Sequence, residues 1–483
     1  FNDSDGDGIG DFNGITQKLD YLASLGINAL WLMPINPATS YHGYDVTNYY
    51  AVNPEYGSME DFQTLLSEAH QRGIRIILDL VLNHTSVEHP WFVDANGNPD
   101  SPYRGWYLWA DSYPGYNGPF GTAWHAAKGG GYYYGVFWSG MPDLNYTNPE
   151  VTAEMHEVTR YWLEDIGVDG FRIDAARHLI EDGQKASDTP ATLQWFADYY
   201  QFYKGINPNA YTVSEIYGAG ALIAKNYEGR ADHIFNFELA SGIVNSVNGE
   251  ANSSITSAIK FMLKDKPDGN FATFLTNHDQ DRVMSVLSGK VEKAKVAAAM
   301  LLTAPGTPFI YYGEEIGLQG RKPDPDIRRP MQWSDAPNAG FTSAAQAWRD
   351  PFNDYPTVNV AAQENDPASL LNHYRTLIAL RKAYPALQIG STALIEPGSR
   401  NVYAILRSEG SQVILVLVNL SGAPVSEYAL SLSNAPMPDG TYTLEAIFGD
   451  GTAQPLTVSG GAFTGFQPIP ELAPYSVHIY LLK

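Results

Sequence analysis

Cysteine is absent from all 483 residues, so the chain has no disulfide framework, no thiol nucleophile and no thiolate metal site. That absence does not decide the compartment. Basic residues are scarce: 30 Lys and Arg against 53 Asp and Glu leave a formal charge of −23. Such a balance speaks against a phosphate-binding surface, and nucleic acid is not an expected partner. Only 17% of residues are charged, which is not the composition of a disordered or densely charged chain. Long apolar runs are missing too. The most apolar stretch, Val296 to Thr303, is short and runs into Ala304-Pro-Gly-Thr-Pro308. It reads as a buried helix, a turn and a strand at Phe309 to Tyr312, not as a membrane span. No internal repeat and no signal peptide are visible. What remains is a chain longer than one ordinary domain and able to bury a large core.

The most informative stretch present is Gly170-Phe-Arg-Ile-Asp-Ala-Ala-Arg-His178. Side chains alternate along a strand, so Arg172 and Asp174 point the same way. A cation beside a carboxylate favours its ionised form and aims it. Taken alone, this fits a structural ion pair equally well. Three other strand-like segments also end in polar clusters. Residues 74–84 end in Asn83 and His84, residues 211–216 deliver Glu215, and residues 271–279 deliver Asn277, His278 and Asp279. Strand formers alternate with helical patterns, as in a β/α barrel. In such a barrel the polar groups at strand carboxyl ends converge on one face.

These four segments, in this order, resemble the signature regions of the α-amylase family of glycoside hydrolases (family thirteen). The resemblance covers nearly the whole chain. It implies Asp174 as nucleophile, Glu215 as general acid/base and Asp279 as the carboxylate that stabilises the transition state. Arg172, His84 and His278 match residues that hold the reacting sugar. Tyr41-His-Gly-Tyr-Asp45 resembles the loop that places a tyrosine platform, here Tyr44, and an aspartate, Asp45, at the same subsite. Met141-Pro-Asp-Leu-Asn145 stands between the oligo-1,6-glucosidase and neopullulanase versions of a fifth region. Arg328, in Ile327-Arg-Arg-Pro-Met-Gln-Trp333, resembles an arginine that binds the same ring with Asp45. Aromatics make up 13% of the chain. Most must pack the interior, but clusters of them in loops suit the apolar face of a sugar.

The implied fold is an α/β (β/α)8 TIM barrel with an inserted domain B and a C-terminal antiparallel β domain. The barrel is expected over residues 1–84 and 146–387, domain B over 85–145, and a C-terminal β-sandwich over 388–483. Seven barrel strands are countable, at about 27–33, 74–82, 170–174, 211–216, 233–237, 271–277 and 308–313. Eight are needed, so the first is expected to precede Phe1, together with any export signal. Secretion or a periplasmic location, a single-chain state, and an α-glucan as substrate are the corresponding expectations.

Asp3-Ser-Asp-Gly-Asp-Gly-Ile-Gly-Asp11 copies the start of a calcium loop, with oxygen ligands at positions one, three and five and a carbonyl at seven. The bidentate Glu at position twelve is absent; Gly14 stands there. The expected ligands of a structural Ca²⁺ are Asp3, Asp5, Asp7, Asp11 and the Ile9 carbonyl. Amylases often carry another calcium near the domain B junction, where Asn83 and Asp143 stand. For specificity, Ala175 after the nucleophile resembles α-1,4-specific relatives. Arg177-His178 resembles the Lys-His pair with which α-amylases hold sugars beyond the cleavage point. Both favour an endo-acting α-1,4-glucanase, while the Met141 motif and the acidic loop lean toward the glucosidase branch.

Overall fold

In the computed structural model of the chain, residues 1–218, 225–265 and 271–483 are described. The first strands are β1 (Ala29–Leu32) and β2 (Arg75–Leu80). Three short strands follow in the long excursion after β2: β3 (Trp109–Ala110), β4 (Trp124–Ala126) and β5 (Tyr132–Tyr134). The main sheet then resumes with β6 (Gly170–Ile173), β7 (Tyr211–Ser214), β8 (His233–Phe235), β9 (Phe271–Thr273) and β10 (Thr307–Pro308). Its order is β1-β2-β6-β7-β8-β9-β10, all parallel, and it is curled as in a (β/α)8 barrel. Five of the six residues of β2 are buried. Helices cover one face and barrel side chains the other, which is why this strand reads as a continuous apolar run.

The helices between strands follow local signals. Met59–Gln71 starts at a capping box, in which the Ser58 hydroxyl accepts from Asp61 N and the Asp61 carboxylate accepts from Ser58 N. Its Phe62, Leu65, Leu66 and Ala69 fall on one face and are buried. Val291–Thr303 is buried nearly throughout, as its composition predicts. Leu370–Ala383, capped by Ser369, ends in a buried Arg381 that donates to the carbonyls of Leu302, Ala304 and Gly306.

Two strands are shorter than their sequence pattern predicts. The apolar run from Phe309 to Tyr312 lies outside β10, whose partner β9 itself ends at Thr273. A strand former without a ladder partner has nothing to hold it in a sheet. The free edges of β1 and β10 border an apolar cavity of about 1070 Å³, lined among others by Leu30, Leu32, Phe309 and Ile310. Asp174 and Glu215 do not line it, but Tyr41, His278, Arg328 and Trp348 do, so it reaches one side of the polar rim.

The C-terminal strands are β11 (Ser391–Leu394), β12 (Val402–Glu409), β13 (Gln412–Asn419), β14 (Leu430–Leu432), β15 (Gly440–Tyr442), β16 (Leu444–Phe448), β17 (Leu456–Val458), β18 (Phe463–Phe466) and β19 (Val477–Leu482). A five-stranded antiparallel sheet runs β11-β12-β13-β19-β16, with two-stranded ribbons β14-β18 and β15-β17. Alternation divides β12 cleanly. Tyr403 and Ile405 join the core shared with the barrel, while Val402, Ala404 and Leu406 join a second core of the C-terminal segment.

Candidate active site

One guanidinium organises the site. Ile173 on β6 is registered with Ser214 on β7, so the next residues, Asp174 and Glu215, emerge at the same level of the sheet. Arg172, 1% exposed, reaches both: Nη1 lies 2.6 Å from Asp174 Oδ1 and Nη2 lies 2.8 Å from Glu215 Oε2. A third carboxylate meets the same cation. Asp79 on β2 is in register with Arg172, and its two oxygens accept from Nη1 at 2.9 and 3.1 Å. Asp79 also accepts from Tyr44 Oη at 2.8 Å and Trp31 Nε1 at 3.3 Å.

Two buried carboxylates and the partly buried Glu215 compete for charge around one cation. Burial pushes the Asp79 carboxyl up to about 7 against the pull of Arg172, with the Asp174 charge adding to the rise. Burial also raises Glu215, opposed by Arg172 and helped by the charges of Asp174 and Asp279. Of these causes desolvation is the largest. For Asp174 the expectation needs correction. Arg172 favours its ionised form, but burial outweighs that and the carboxyl sits above its usual range. Asp279 goes the other way. Desolvation opposes its ionisation, but the hydrogen bond from His278 and the charges of His278, Arg328 and Arg172 hold it well below the usual range.

The predicted sugar-holding residues fall into two groups. Tyr44, His278, Asp279 and Arg328 form one chain of contacts. Tyr44 Oη is 2.8 Å from His278 Nε2, His278 Nε2 is 3.1 Å from Asp279, and Arg328 Nη2 donates to Asp279 at 2.8 Å. Burial keeps His84 neutral, at about 4, and its Nε2 is buried without a partner, ready for a hydroxyl. Asp45 and Arg328 are each held by other protein groups. The Asp45 carboxylate takes the hydroxyls of Thr39 and Ser40, and Arg328 turns to Asp279 and Asp324.

On the other side stand Arg177 and His178. The Arg177 guanidinium is held by Asp188 and donates to the Tyr217 carbonyl at 2.6 Å, so its planar face of donors is already engaged. The His178 ring is fixed through Nδ1 on the Ala186 carbonyl, 2.7 Å away. Phe137 lies between the two histidines, 5.5 Å from His84 and 5.8 Å from His178, and stacks on the half-exposed Phe120. The excursion carrying these phenylalanines is tied down where His84 bridges Asp143 and Leu144 N donates to the Asn83 carbonyl at 2.8 Å.

Sequence reasoning missed Asp79. Its one signal is a carboxylate inside the apolar run Ile76-Ile-Leu-Asp-Leu-Val81. It also missed the backbone at Ala175, which is left-handed with φ 46°. That turn lets Ala175 N donate to Glu215 Oε2 at 3.2 Å, and alanine carries no mark of it.

The acidic loop gathers Asp3, Asp5 and Asp11, with one carboxylate oxygen of each within 4.8 Å of the others. Asp7 is not one of the three; its N donates to Asp5 at 3.1 Å and its own carboxylate accepts from Ile9 N at 2.7 Å. Asp3 accepts from the backbone of Asp5, Gly6 and Gly8 and from Thr342 Oγ1, and Asp11 caps the helix Phe12–Gln17. Three hard oxygen donors suit calcium in chemistry.

Comparison with known proteins agrees with this geometry. The profile of the alpha-amylase catalytic domain matches residues 1–390. Alpha-amylase 3 of Dictyoglomus thermophilum is 43% identical over 425 residues, covering 87% of this chain and 82% of that protein. An oligo-1,6-glucosidase of Parageobacillus thermoglucosidasius is 33% identical, covering 87% and 88%. The crystal structure of alpha-amylase from H. orenii superposes with a TM-score of 0.86 at 37% identity, covering 100% of this chain and 97% of that one. No helix among the described residues is long and apolar enough to cross a membrane. The chain belongs to the α-amylase family and is a glycoside hydrolase.

Proposed function

We propose that the enzyme is a retaining α-glucan hydrolase that cleaves internal α-1,4-glucosidic bonds. The observation that carries the reading is the pair of carboxyl groups, Asp174 and Glu215, set on one guanidinium by two registered parallel strands. Glycosidic cleavage passes through an oxocarbenium-like state and needs an anion on one face of the ring and a proton on the other. Asp174 attacks the anomeric carbon in its ionised form, which Arg172 favours. Glu215, held protonated to higher pH by burial, gives its proton to the leaving oxygen and then takes one from the incoming water. Asp279, kept ionised by His278 and Arg328, binds ring hydroxyls and offsets positive charge. Double displacement calls for carboxyl groups about 5–5.5 Å apart in the substrate complex.

Internal α-1,4 cleavage is supported by Ala175 and by His178, whose ring is fixed beside Phe120 and Phe137. The alternative within the family is an exo-acting glucosidase or a glucan transferase, supported by the 33% identity to an oligo-1,6-glucosidase. A time course on maltoheptaose decides. The first product should keep the α configuration by NMR, and a maltoheptaoside with a blocked non-reducing end should be cut internally. A β first product removes the retaining mechanism. Release of single glucose units from free ends alone installs the exo reading.

A structural calcium ion on the first loop belongs to the same proposal. Asp3, Asp5 and Asp11 would hold it, with the Ile9 carbonyl as a further oxygen. Its support is a local conflict at Asp5. The hydrogen bond from Asp7 N lowers that carboxyl, yet desolvation and the charges of Asp7, Asp11 and Asp3 raise it overall. A cation there relieves that repulsion.

A further inference from the structure

The rim beside Arg328 carries two aromatic rings that no role assigned so far uses. Tyr41 and Trp348 stack with centroids 5.7 Å apart and planes 26° from parallel. They are 47% and 38% exposed. Large apolar rings left this open in a contiguous pair mark an interaction site more often than chance does. The Arg328 guanidinium lies 5.8 Å from the Tyr41 ring and donates to Asp279 through Nη2. Its Nη1 is buried without a partner among the described residues. The pair therefore starts one side chain away from Asp279, on the Arg328 side of the cluster. His178, the expected leaving-side residue, has Phe120 and Phe137 as its aromatic neighbours instead.

We propose that Tyr41 and Trp348 form the platform for the second sugar on the donor side of the cleavage point, and so set the preference for a maltosyl over a glucosyl donor. The inference rests on the glucan-hydrolase reading. A pyranose has an apolar C–H face and a rim of hydroxyls. Stacked on each other, the two rings hold one another in place and leave each an outer face, a flat apolar surface that suits the C–H side of the sugar. Flat aromatic faces bind such ligands at little entropic cost, because the rings turn about few bonds.

The platform is clamped to the acidic loop. Trp348 N donates to the Gly8 carbonyl at 2.8 Å, Asp3 N donates to the Phe341 carbonyl at 3.0 Å, and Thr342 Oγ1 donates to the Asp3 carboxylate. Gly8 has φ +97°, and a Cβ there would sit 2.6 Å from the Gln346 carbonyl oxygen, so the contact needs glycine. The acidic loop therefore does more than stabilise the fold. It positions Trp348, and loosening the loop should loosen donor binding before the enzyme unfolds.

The test is the ratio of kcat/KM for an aryl α-maltoside to that for the aryl α-glucoside with the same leaving group. The two substrates differ only by the second donor sugar. Trp348→Ala should lower the ratio about tenfold, the scale of one lost stacking contact, while Trp348→Phe keeps most of it. EDTA, applied well below the melting temperature, should move the ratio of the intact enzyme in the same direction, and added calcium should restore it. A ratio unmoved by Trp348→Ala overturns the platform. A ratio moved by Trp348→Ala but not by EDTA or Gly8→Val overturns the clamp. An enzyme that hydrolyses neither substrate sinks the glucan-hydrolase reading instead. Maltotriose titrated calorimetrically into Asp174→Asn, with and without Trp348→Ala, then reads the platform alone: about tenfold weaker binding supports it and equal binding overturns it.

Discussion

Two clusters of carboxylates in this protein handle the same problem differently. At the catalytic rim, Asp79, Asp174 and Glu215 crowd one buried guanidinium. At the start of the chain, Asp3, Asp5 and Asp11 crowd one another and take their hydrogen bonds mostly from backbone N–H groups. The first cluster is out of water, where an unpaired charge costs several kcal/mol. It is balanced from within, by Arg172 and by protons that burial holds on the acids. Among the described residues the second has no basic side chain bonded within it, which makes it a place for an external cation. The difference gives each cluster its own lever: a substitution of the internal cation for one, chelation for the other.

The largest effect should come from Asp174→Asn. Turnover of maltoheptaose should fall by about 10⁴-fold or more, in the range seen when a nucleophile is removed, with the melting temperature close to that of the parent. Near-normal turnover would show that Asp174 is not the nucleophile.

Arg172→Met comes next. Leaving buried Asp79 and Asp174, and the partly buried Glu215, without their cation should cost about 3–5 kcal/mol in denaturant titrations. The loss should be greater at pH 8 than at pH 5. Asp79 already sits at about 7 in the folded protein, above its unfolded value near 4. Between those values the folded state holds a proton that the unfolded state lacks, so stability falls as pH rises through that window. Without Arg172 the folded values climb further and the fall steepens. An equal loss at both pH values would mean that the cluster is not balanced in this way.

For the loop, calcium at a hundredfold excess over Kd should add on the order of 3 kcal/mol, seen as a higher melting temperature than in EDTA. Asp5→Ala should lower the melting temperature and make it indifferent to calcium. Identical melting of the parent in EDTA and in millimolar calcium would remove the ion from the loop.

The smallest effect lies at the turn joining Asp174 to its neighbours. A left-handed alanine costs roughly 1–2 kcal/mol, much of which glycine recovers. Ala175→Gly should therefore stabilise the fold by about 0.5–1 kcal/mol while keeping the N–H that Glu215 accepts. Ala175→Val should lower the melting temperature, because a branched side chain fits φ 46° poorly. If valine is tolerated without loss, the strained turn is not a feature of the protein in solution.

The barrel was legible because its signals are local. β2, β6 and β7 are runs of strand formers, and each ends in the polar residues that the sequence itself displays. Asp174 and Glu215 sit one position past the ends of neighbouring strands, so order along the chain became proximity in space. Asp79 was harder to see, because a lone acid in an apolar strand announces nothing until its register partner is known to be Arg172. β9 and β10 are shorter than their strand formers predict, since propensity cannot show that a ladder partner stops at Thr273.

By itself the sequence determined the parallel α/β architecture, the order of the catalytic groups and the acidic loop, all of which depend on residues close together along the chain. Only the tertiary structure decided how those groups share charge. Arg172 meets three carboxylates rather than one, burial outweighs its pull on Asp174, and Arg328 pairs with Asp279. The stack of Tyr41 on Trp348, and the grip of Gly8 on that tryptophan, belong to the same class. Desolvation and long-range contact depend on what surrounds a side chain in three dimensions, and no spacing along a chain encodes that.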